Sequence, residues 1–487
     1  MVVELPSMFL IVIIIAVNTQ QIQSGDSIRP TNYSGYSLID AIPNNEENVK
    51  FLRHLDSSVN DGCLDFWLEP GVTSKPVDIL LHPEITSTIM KEFRGRNITV
   101  KLITNNVANS TDKEKDEISQ RRKEFLSNCN KMKSGCVLDF MNYNDLQTIE
   151  SYMLKLSKSP RNFSSLKNLE VKLSAIGTTY EKRDIRMVSL SLKDGKKKRA
   201  IWIDCGIHAR EWISPAFCLY TIDSLIKSSR SFLNHVDFFI VPVSNPDGYA
   251  YSWTNNRFWR KNRRPNQLKV NSRSITGLVC MGNPSYWNEQ LLDVIHRSPE
   301  DSLIPHFEHQ SYGDYSLDHF SSLPSQIRET CKYGTDVNRN FDSDWASTCG
   351  RYCNDVCSQG YPGTEPFSEA ESRAIRDAIS SIKSRQEISA FVDIHSYSQM
   401  WLTPYGLEGK YSIHNKELKR VAKIATKALS NVHGTAYRYG TVFAIIGKNI
   451  SGGSIDWAHE VKGQIKIITY FFNGIFWLCI VSFNNLL

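Results

Sequence analysis

Acidic residues are missing from the end of this 487-residue chain, because no Asp or Glu occurs after Glu460. Internal repeats and extended low-complexity tracts are also absent, which argues against a repeat architecture. The 57 Lys and Arg residues against 51 Asp and Glu give a net charge of only +6, and the basic residues are scattered. No recognised nucleic-acid-binding motif is present, so no nucleic acid partner is expected.

Cysteine is well represented, and together with the N-terminus it indicates an oxidising compartment. Residues 8–17 form a short apolar run followed by the polar segment 18–27, a pattern typical of a secretory signal peptide, here predicted at residues 1–24. The 11 cysteines agree with a secreted, extracellular protein. Glycosylation sequons agree with it too, at Asn32, Asn97, Asn109, Asn162 and Asn449.

Strand and helix patterns alternate along most of the chain. The apolar runs 200–207, 236–243 and 391–397 are typical of buried strands, and residues 145–156 and 415–432 have the spacing of amphipathic helices. With 41% hydrophobic residues the chain can bury a large core and has room for two or three domains. We therefore predict an α/β fold, with a mostly parallel mixed sheet flanked by helices on both faces.

A smaller unit is expected before this sheet, within residues 32–123. Its segments follow the order strand, helix, strand, strand, helix, at residues 36–39, 47–55, 63–68, 77–81 and 82–93. This order suits a small α+β open sandwich. The charged run 112–123 then forms a connecting segment.

Three residues at the ends of apolar runs have the chemistry of a zinc site. His208 and Glu211 follow the run 200–207, and His395 ends the run 391–397. A catalytic Zn²⁺ commonly takes three His, Asp or Glu ligands and leaves a fourth position open. Separately, an H-x-x-E pair or a strand histidine is more often a packed residue. Because parallel α/β sheets gather their sites at strand ends, we predict that these three residues meet.

Two further segments carry cationic and amide side chains suited to holding a carboxylate. They are Asn256-Arg257-Phe258-Trp259-Arg260-Lys261 and Asp336-Val337-Asn338-Arg339-Asn340-Phe341. The planar fork of arginine matches a carboxylate with two parallel hydrogen bonds. The expected ligand of this region is therefore a carboxylate.

These segments resemble the zinc metallocarboxypeptidases of the pancreatic carboxypeptidase A/B type. The resemblance runs in order through the segments 201–217, Asn245-Pro246-Asp247-Gly248-Tyr249, Asn338-Arg339-Asn340, Ile394-His395-Ser396-Tyr397-Ser398-Gln399 and Ser451-Gly452-Gly453-Ser454-Ile455-Asp456-Trp457. It implies a monomeric zinc exopeptidase that holds one Zn²⁺ per chain and acts on peptide or protein C-termini.

The resemblance also implies a role for each candidate site residue. His208, Glu211 and His395 match the zinc ligands of the family. Arg260 matches the residue that polarises the scissile carbonyl and stabilises its oxyanion.

The remaining candidates match substrate-binding positions. Asn338 and Arg339 match the clamp on the C-terminal carboxylate of the substrate, and Arg210 and Tyr397 match outer subsites. Ile455 matches the floor of the specificity pocket, although the same residue is equally suited to ordinary core packing. An apolar residue at this floor implies an A-type preference for aliphatic or aromatic C-terminal residues.

The chain departs from the family where proton transfer is needed. In the family, a glutamate roughly fifteen residues after the position of Ile455 activates the zinc-bound water as general base. Here that neighbourhood is Ile467-Ile468-Thr469-Tyr470-Phe471-Phe472, which has no carboxylate. The loop tyrosine of the family is also missing, and Lys448 stands at or near its place. We therefore expect impaired peptidase activity, by about a hundredfold to ten-thousandfold.

The tail 464–487 is the least typical part of the chain, since similarity to the family is expected to stop after Gly463. It is apolar and approaches the roughly 20 residues of a membrane span. Three interpretations remain open: a membrane anchor, a divergent core strand, or sequence foreign to the functional protein, such as translated intron. The last is preferred.

Whether a segment belongs to the functional protein is also open for the polar insert at 265–330, because members of the family have almost no residues in this region. Loops of this length are usually functional or disordered, and unspliced sequence is the alternative. The expected catalytic domain is 136–463, with the insert 265–330 inside it and the tail 464–487 after it.

Residues 32–123 resemble the activation peptide of the family. The segment Arg121-Arg122-Lys123 is then an exposed site for a trypsin-like activating protease, although a solvated helix is the alternative. The resemblance also implies the disulfides Cys205–Cys218 and Cys331–Cys357. Cys129–Cys136 and Cys349–Cys353 are plausible local pairs, but spacing does not determine connectivity.

Three functions are compatible with the sequence. The first is a secreted zymogen of a zinc exopeptidase, altered at its end. The second is a non-catalytic protein that binds C-terminal carboxylates because it keeps the clamp and lacks the base. The third is a membrane-anchored ectodomain, which requires the tail to be an anchor.

Overall fold

The computed structural model describes residues 30–58, 64–67, 70–130, 138–164, 166, 168–228, 230–266, 325–460 and 466–472. The predicted signal peptide, most of the predicted insert and residues 473–487 lie outside these ranges. The described residues form a sheet of four strands and a sheet of eight strands. We call residues 30–104 the N-terminal unit and residues 138–472 the main unit.

The N-terminal unit is a four-stranded antiparallel sheet with two helices. Its elements are β1 (Ser37–Ile42), α1 (Glu46–Ser58), β2 (Leu64–Phe66), β3 (Val77–Leu81), α2 (Pro83–Gly95) and β4 (Thr99–Thr104), with the strand order β2-β3-β1-β4. Alternate strand residues such as Ile39 and Ile79 pack with Leu52 of α1 and Ile89 of α2 in one buried cluster. This is the small open sandwich expected from the sequence.

A single helix, α3 (Val107–Asn130), follows the N-terminal unit. It contains the predicted cleavage site, whose Arg121, Arg122 and Lys123 are exposed on the helix surface. Arg122 Nη1 lies 2.7 Å from Asp145 Oδ2 of the main unit. The solvated-helix alternative therefore describes the geometry of this segment.

The main unit is built on a mixed eight-stranded sheet in the order β11-β10-β12-β9-β7-β8-β6-β5. Its strands are β5 (Leu169–Thr178), β6 (Asp184–Leu192), β7 (Arg199–Cys205), β8 (Val236–Val241), β9 (Ile388–Ser396), β10 (Met400–Thr403), β11 (Arg438–Thr441) and β12 (Lys466–Phe472). The pairs β8–β7, β7–β9, β9–β12 and β10–β11 are parallel, and the other pairs are antiparallel.

Helices cover both faces of this sheet. They are α4 (Leu146–Lys158), α5 (Ile213–Ser228), α6 (Arg230–Leu233), α7 (Pro246–Thr254), α8 (Ser325–Lys332), α9 (Ala370–Lys383), α10 (Asn415–His433), α11 (Val442–Ile446) and α12 (Ser454–Glu460). Ile201 and Ile203 of β7 pack on one face with residues of α4, α5 and α10, whereas Trp202 packs on the other face with α9. The α/β architecture predicted from the sequence is confirmed.

The tail contributes a strand to the middle of the sheet. β12 pairs in parallel with β9 and antiparallel with β10. Of the three interpretations of the tail, the core strand therefore describes residues 466–472. Among the described residues, no helix has the length and apolar character needed to cross a membrane.

Three of the four expected disulfides are formed between described residues: Cys205–Cys218, Cys331–Cys357 and Cys349–Cys353. Cys129 is also disulfide-bonded, and its expected partner Cys136 lies outside the described residues. The first bridge ties β7 to α5, the two elements on either side of His208 and Glu211.

Two glycines meet where the N-terminal unit docks on the main unit. A Cβ on Gly71 would lie 1.8 Å from the carbonyl oxygen of Ile446, and a Cβ on Gly447 would lie 2.7 Å from the carbonyl oxygen of Gly71. Arg53 donates from Nη2 to the carbonyl oxygens of Gly71 (2.6 Å) and Gly447 (2.5 Å). The two backbones approach closely because neither residue has a side chain.

Replacing Gly71 with alanine should loosen this docking, because the new methyl group has no room beside Ile446. After limited trypsin treatment, the fragments of Gly71→Ala should separate more readily in size-exclusion chromatography than those of the wild type. Gly95→Ala is the matched control, since a Cβ at Gly95 meets nothing within 4 Å. Equal separation of the two variants would contradict the contact.

Candidate metal centre and substrate cleft

His208, Glu211 and His395 converge in the buried interior at the carboxyl ends of β7 and β9. Nδ1 of His208 lies 2.8 Å from Glu211 Oε1, and Nδ1 of His395 lies 3.0 Å from Glu211 Oε2. One ligand atom from each residue lies within 4.8 Å of the others, so the group could hold a metal ion. Two imidazoles and a carboxylate are a donor set that suits Zn²⁺.

The charges around these residues also favour a cation. Burial raises the pKa of the Glu211 carboxyl, but the charges of His208 and His395 outweigh burial and leave this pKa below its ordinary value. Burial lowers the pKa of His395, but Asp393 and Glu211 raise it to about 10. Buried carboxylates therefore surround the imidazoles with negative charge, which a bound metal ion would neutralise in place of protons.

An aspartate lies behind each histidine ring. Asp336 Oδ1 is 3.1 Å from His208 Nε2, and Asp393 Oδ2 is 2.9 Å from His395 Nε2. Both aspartates are fully buried. Neither was predicted from the sequence, although Asp393 stands two residues before His395 on one strand, a spacing that puts side chains on the same face.

Arg260 lies beside the histidine cluster. Its Nη2 is 2.8 Å from Asp336 Oδ2, and its Nη1 is 3.8 Å from Glu211 Oε1. Burial raises the pKa of Asp336, but the charges of Arg260 and His208 hold this pKa well below its ordinary value. Arg260 is thus a fixed cation at the edge of the metal group.

Asn338 and Arg339, the predicted carboxylate clamp, are held by the Ser451–Ser454 loop. Asn338 Oδ1 accepts from the Ser454 backbone amide at 2.8 Å, and Asn338 Nδ2 lies 2.9 Å from His395 Nε2. Gly452 has φ +71°, and a Cβ there would lie 2.1 Å from the carbonyl oxygen of Arg339. The loop therefore needs glycine at this position to approach Arg339 closely.

A cavity of about 430 Å³ adjoins the His208–Glu211–His395 group and the residues Asn338 and Arg339. His208, Glu211, Arg260 and Asn338 line one part of it, and a second part is apolar. The apolar part is lined by Met400, Leu402, Val442, Ile445, Ile446, Ile450 and Ile455. Ile455 also belongs to the buried hydrophobic cluster on that side of the sheet, so it both packs in the core and borders the cavity.

The N-terminal unit lies over this cleft through acidic side chains. Asp65 Oδ2 is 3.1 Å from Nη1 of Arg210, and Asp56 Oδ2 is 3.4 Å from Nζ of Lys448. The hydroxyl of Tyr397 donates to Asp78 Oδ2. Asp56 and Asp65 also line the cavity. The outer residues predicted to contact substrate therefore contact the N-terminal unit in this structure.

The position expected for the general base lies on β12. In the parallel register with β9, Phe471 is the partner of His395 and Tyr470 is the partner of Ile394. Neither residue type offers a carboxylate. The C-terminal segment that lacks Asp and Glu therefore includes β12, a strand that lies beside the metal group.

Sequence comparison places these features in a known family. A zinc carboxypeptidase model matches residues 161–474, and a carboxypeptidase activation peptide model matches residues 39–114. The chain belongs to the zinc carboxypeptidase family. The expectation that similarity stops after Gly463 is wrong, because the family match continues to residue 474 and includes β12.

Individual zinc carboxypeptidases show the same extent of similarity. Carboxypeptidase B of Bos taurus is 31% identical over 426 residues, with 85% of this chain and 80% of the relative covered. Mast cell carboxypeptidase A of Mus musculus is 30% identical over 449 residues, with 89% and 85% covered. A-type and B-type relatives are thus about equally similar, so identity alone does not decide the substrate preference.

Solved zinc carboxypeptidase structures agree with the fold. The crystal structure of thrombin activatable fibrinolysis inhibitor superimposes with a TM-score of 0.63 at 26% identity, covering 89% of this chain and 90% of that chain. A carboxypeptidase A from Helicoverpa armigera superimposes with a TM-score of 0.66 at 22% identity, covering 92% of each chain.

The buried carboxyl of Asp78, which lies beside Asp40, should make stability depend on pH. Burial, and next the neighbouring Asp40, raise the pKa of Asp78 from 3.8 to about 6. The folded protein therefore binds a proton that the unfolded chain has released, and this group lowers stability as pH rises from about 4 to about 6. Asp78→Asn cannot titrate. Its melting temperature relative to wild type should increase from pH 4 to pH 7, and a constant difference would contradict the assignment.

Proposed function

We propose that this chain is the zymogen of a secreted zinc metallocarboxypeptidase that removes single apolar or aromatic residues from peptide C-termini. The supporting observation is that one cleft contains the His208–Glu211–His395 group, the clamp residues and an apolar cavity wall. These are the parts needed to bind a C-terminal residue by its carboxylate and side chain beside a metal ion.

In this proposal His208, Glu211 and His395 hold one Zn²⁺, which would supply a Lewis acid and lower the pKa of a bound water. Arg260 presents its guanidinium, 3.8 Å from Glu211, to the carbonyl oxygen of the scissile bond. Its position is fixed by Asp336 before substrate arrives, so little reorganisation is needed when charge develops on that oxygen.

The same proposal gives the remaining residues substrate-binding roles. Asn338 and Arg339 hold the C-terminal carboxylate, and Ile455 with its apolar neighbours receives the C-terminal side chain. Arg210 and Tyr397 become available to the preceding substrate residues once Asp65 and Asp78 have left them.

Activation would require removal of the N-terminal unit. We take residues 32–123 as the activation peptide and Arg121-Arg122-Lys123 as the cut site of a trypsin-like protease. These residues are exposed but helical, and proteolysis needs local opening of the helix. Cutting should therefore be slower than in an extended loop.

The A-type preference can be tested at Ile455. After trypsin treatment and zinc addition, peptides ending in Phe or Leu should have a higher kcat/KM than peptides ending in Lys. Ile455→Asp should reverse this order, because a buried carboxylate attracts a cationic side chain. Ile455→Val keeps the apolar surface and should keep the order. Faster cleavage of Lys by the wild type would refute the preference.

The proposal also includes reduced activity, because β12 carries no carboxylate at the position of the family's base. The test is to supply one. Phe471→Glu should raise kcat by about a hundredfold to ten-thousandfold, since position 471 is in register with His395. Ile468→Glu is the matched control, because position 468 pairs with Val392 and lies an odd number of residues from 471, which places it on the opposite side of the sheet. A wild type as fast as Phe471→Glu would mean that another group serves as base.

The missing carboxylate also favours a second candidate function, a protein that binds C-terminal carboxylates without cleaving them. In that case the trypsin-treated wild type binds a peptide ending in Phe, binds its C-terminal amide more weakly, and releases no free Phe. Turnover of the same peptide distinguishes the enzyme from the binding protein.

A further inference from the structure

Asp393 is a buried acidic residue to which the proposed reaction assigns no role. It lies on β9, two residues before His395, and its side chain is completely buried. Burying a carboxylate is costly unless hydrogen bonds compensate. Its contacts therefore indicate what it stabilises.

Three groups surround one oxygen of this carboxylate. Asp393 Oδ2 lies 2.9 Å from His395 Nε2, accepts from Ser454 Oγ at 2.7 Å and lies 3.3 Å from Asn338 Nδ2. His395 belongs to the metal group, Asn338 to the clamp, and Ser454 immediately precedes Ile455 at the cavity wall. A single oxygen atom thus contacts one residue of the metal group, one residue of the clamp and the residue that precedes the cavity wall.

The contact with His395 selects the form of the imidazole that can bind a metal. A carboxylate oxygen accepts hydrogen bonds, so the 2.9 Å contact with Asp393 is satisfied when Nε2 is the nitrogen that carries hydrogen. Nδ1, which faces Glu211 at 3.0 Å, then keeps its lone pair for the metal ion.

Asn338 would favour the other tautomer of His395, which carries its hydrogen on Nδ1. Its Nδ2 lies 2.9 Å from His395 Nε2, and an amide nitrogen can only donate. Without Asp393, Asn338 would donate to a deprotonated Nε2 and leave the proton on Nδ1, where it blocks metal binding. With Asp393 present, Nδ2 has the carboxylate oxygen as an alternative acceptor.

We propose that Asp393 is a positioning residue that fixes His395 for metal binding and ties the metal group to the Asn338–Ser454 clamp. It acts through these residues and does not touch substrate. This inference rests on the proposed zinc ligands and deepens the proposed function of the same cleft.

The first test measures zinc affinity by competition with a chromophoric chelator. The protein is expressed as the full chain and then activated with trypsin. Asp393→Ala should weaken zinc binding by about tenfold to a hundredfold. Asp393→Asn should lose less, because its amide oxygen can still accept from Nε2. Unchanged zinc affinity in a folded Asp393→Ala protein would overturn the proposal.

The matched control is Asp204→Ala. Asp204 is the register partner of Asp393 on β7 and is equally buried, but it accepts from Trp202 Nε1 at 2.8 Å instead of contacting a histidine. Its replacement should change zinc affinity less than threefold. An equal loss in both variants would attribute the effect to buried charge or packing in general and would overturn the specific role.

The second test addresses the link to the clamp. With saturating zinc, Asp393→Ala should weaken binding of a peptide ending in Phe at least fivefold, while binding of its C-terminal amide changes little. Ser454→Ala should weaken the same peptide without changing zinc affinity, because it removes only the clamp side of the network. Unaltered peptide binding in Asp393→Ala would limit Asp393 to the metal group and overturn the link.

A measurement on the wild type decides the matter if the variants do not fold. In zinc-loaded protein labelled with ¹⁵N-histidine, both His208 and His395 should show a slowly exchanging, downfield Nε2 proton. Asp336→Asn should alter the Nε2 proton signal of His208 and leave that of His395 unchanged. Absence of the His395 proton would overturn the proposal.

Failure of the proposed function would give different zinc-binding results from failure of the present inference. If the wild type binds no zinc, or if His208→Ala binds it equally well, the ligand assignment itself is wrong. If the wild type binds one zinc that His208→Ala loses, only the behaviour of Asp393→Ala bears on the present inference.

Discussion

The cleft depends on the Glu211 carboxylate, which lies between two imidazoles that come from different strands. His208 follows β7 and His395 ends β9, and Glu211 lies within 3.0 Å of Nδ1 of both. The parallel pairing of β7 with β9 brings the two strand ends together. Asp336 and Asp393 lie behind the two histidine rings, and Arg260 lies beside Glu211.

The buried carboxyls around His208 and His395 need compensation for their charge, and neighbouring residues provide it. Burial and the charge of Asp393 raise the pKa of Asp204 well above its ordinary value, which favours the neutral form of this neighbouring carboxyl. Arg260 compensates the charge of Asp336. Asp336 and Asp393 each place a carboxylate oxygen against a histidine nitrogen.

The sequence was sufficient to predict that His208, Glu211 and His395 meet, because each follows or ends an apolar run, and it was sufficient for the α/β architecture. It was insufficient for Asp336 and Asp393, since contacts between a side chain and a ring depend on packing across 128 residues in the first case. It also left three interpretations of the tail open and preferred foreign sequence, because the run 466–472 has the composition of a buried strand and of a membrane span alike. Pairing with β9 and β10, which no local pattern reveals, shows that residues 466–472 form a core strand.

The residues proposed for substrate binding and the position proposed for the base lie on separate parts of this fold. The metal group, Arg260 and the clamp depend on β7, β9 and the loops that pack on them, whereas the family's base would stand on β12. Residues of β12 can therefore change while the cleft keeps its polar contacts. Interactions made equally with substrate and transition state bind but do not accelerate, so such a cleft would retain affinity for C-termini while losing turnover. Because β12 pairs beside His395, a carboxylate on this strand could raise turnover without altering the residues proposed for binding.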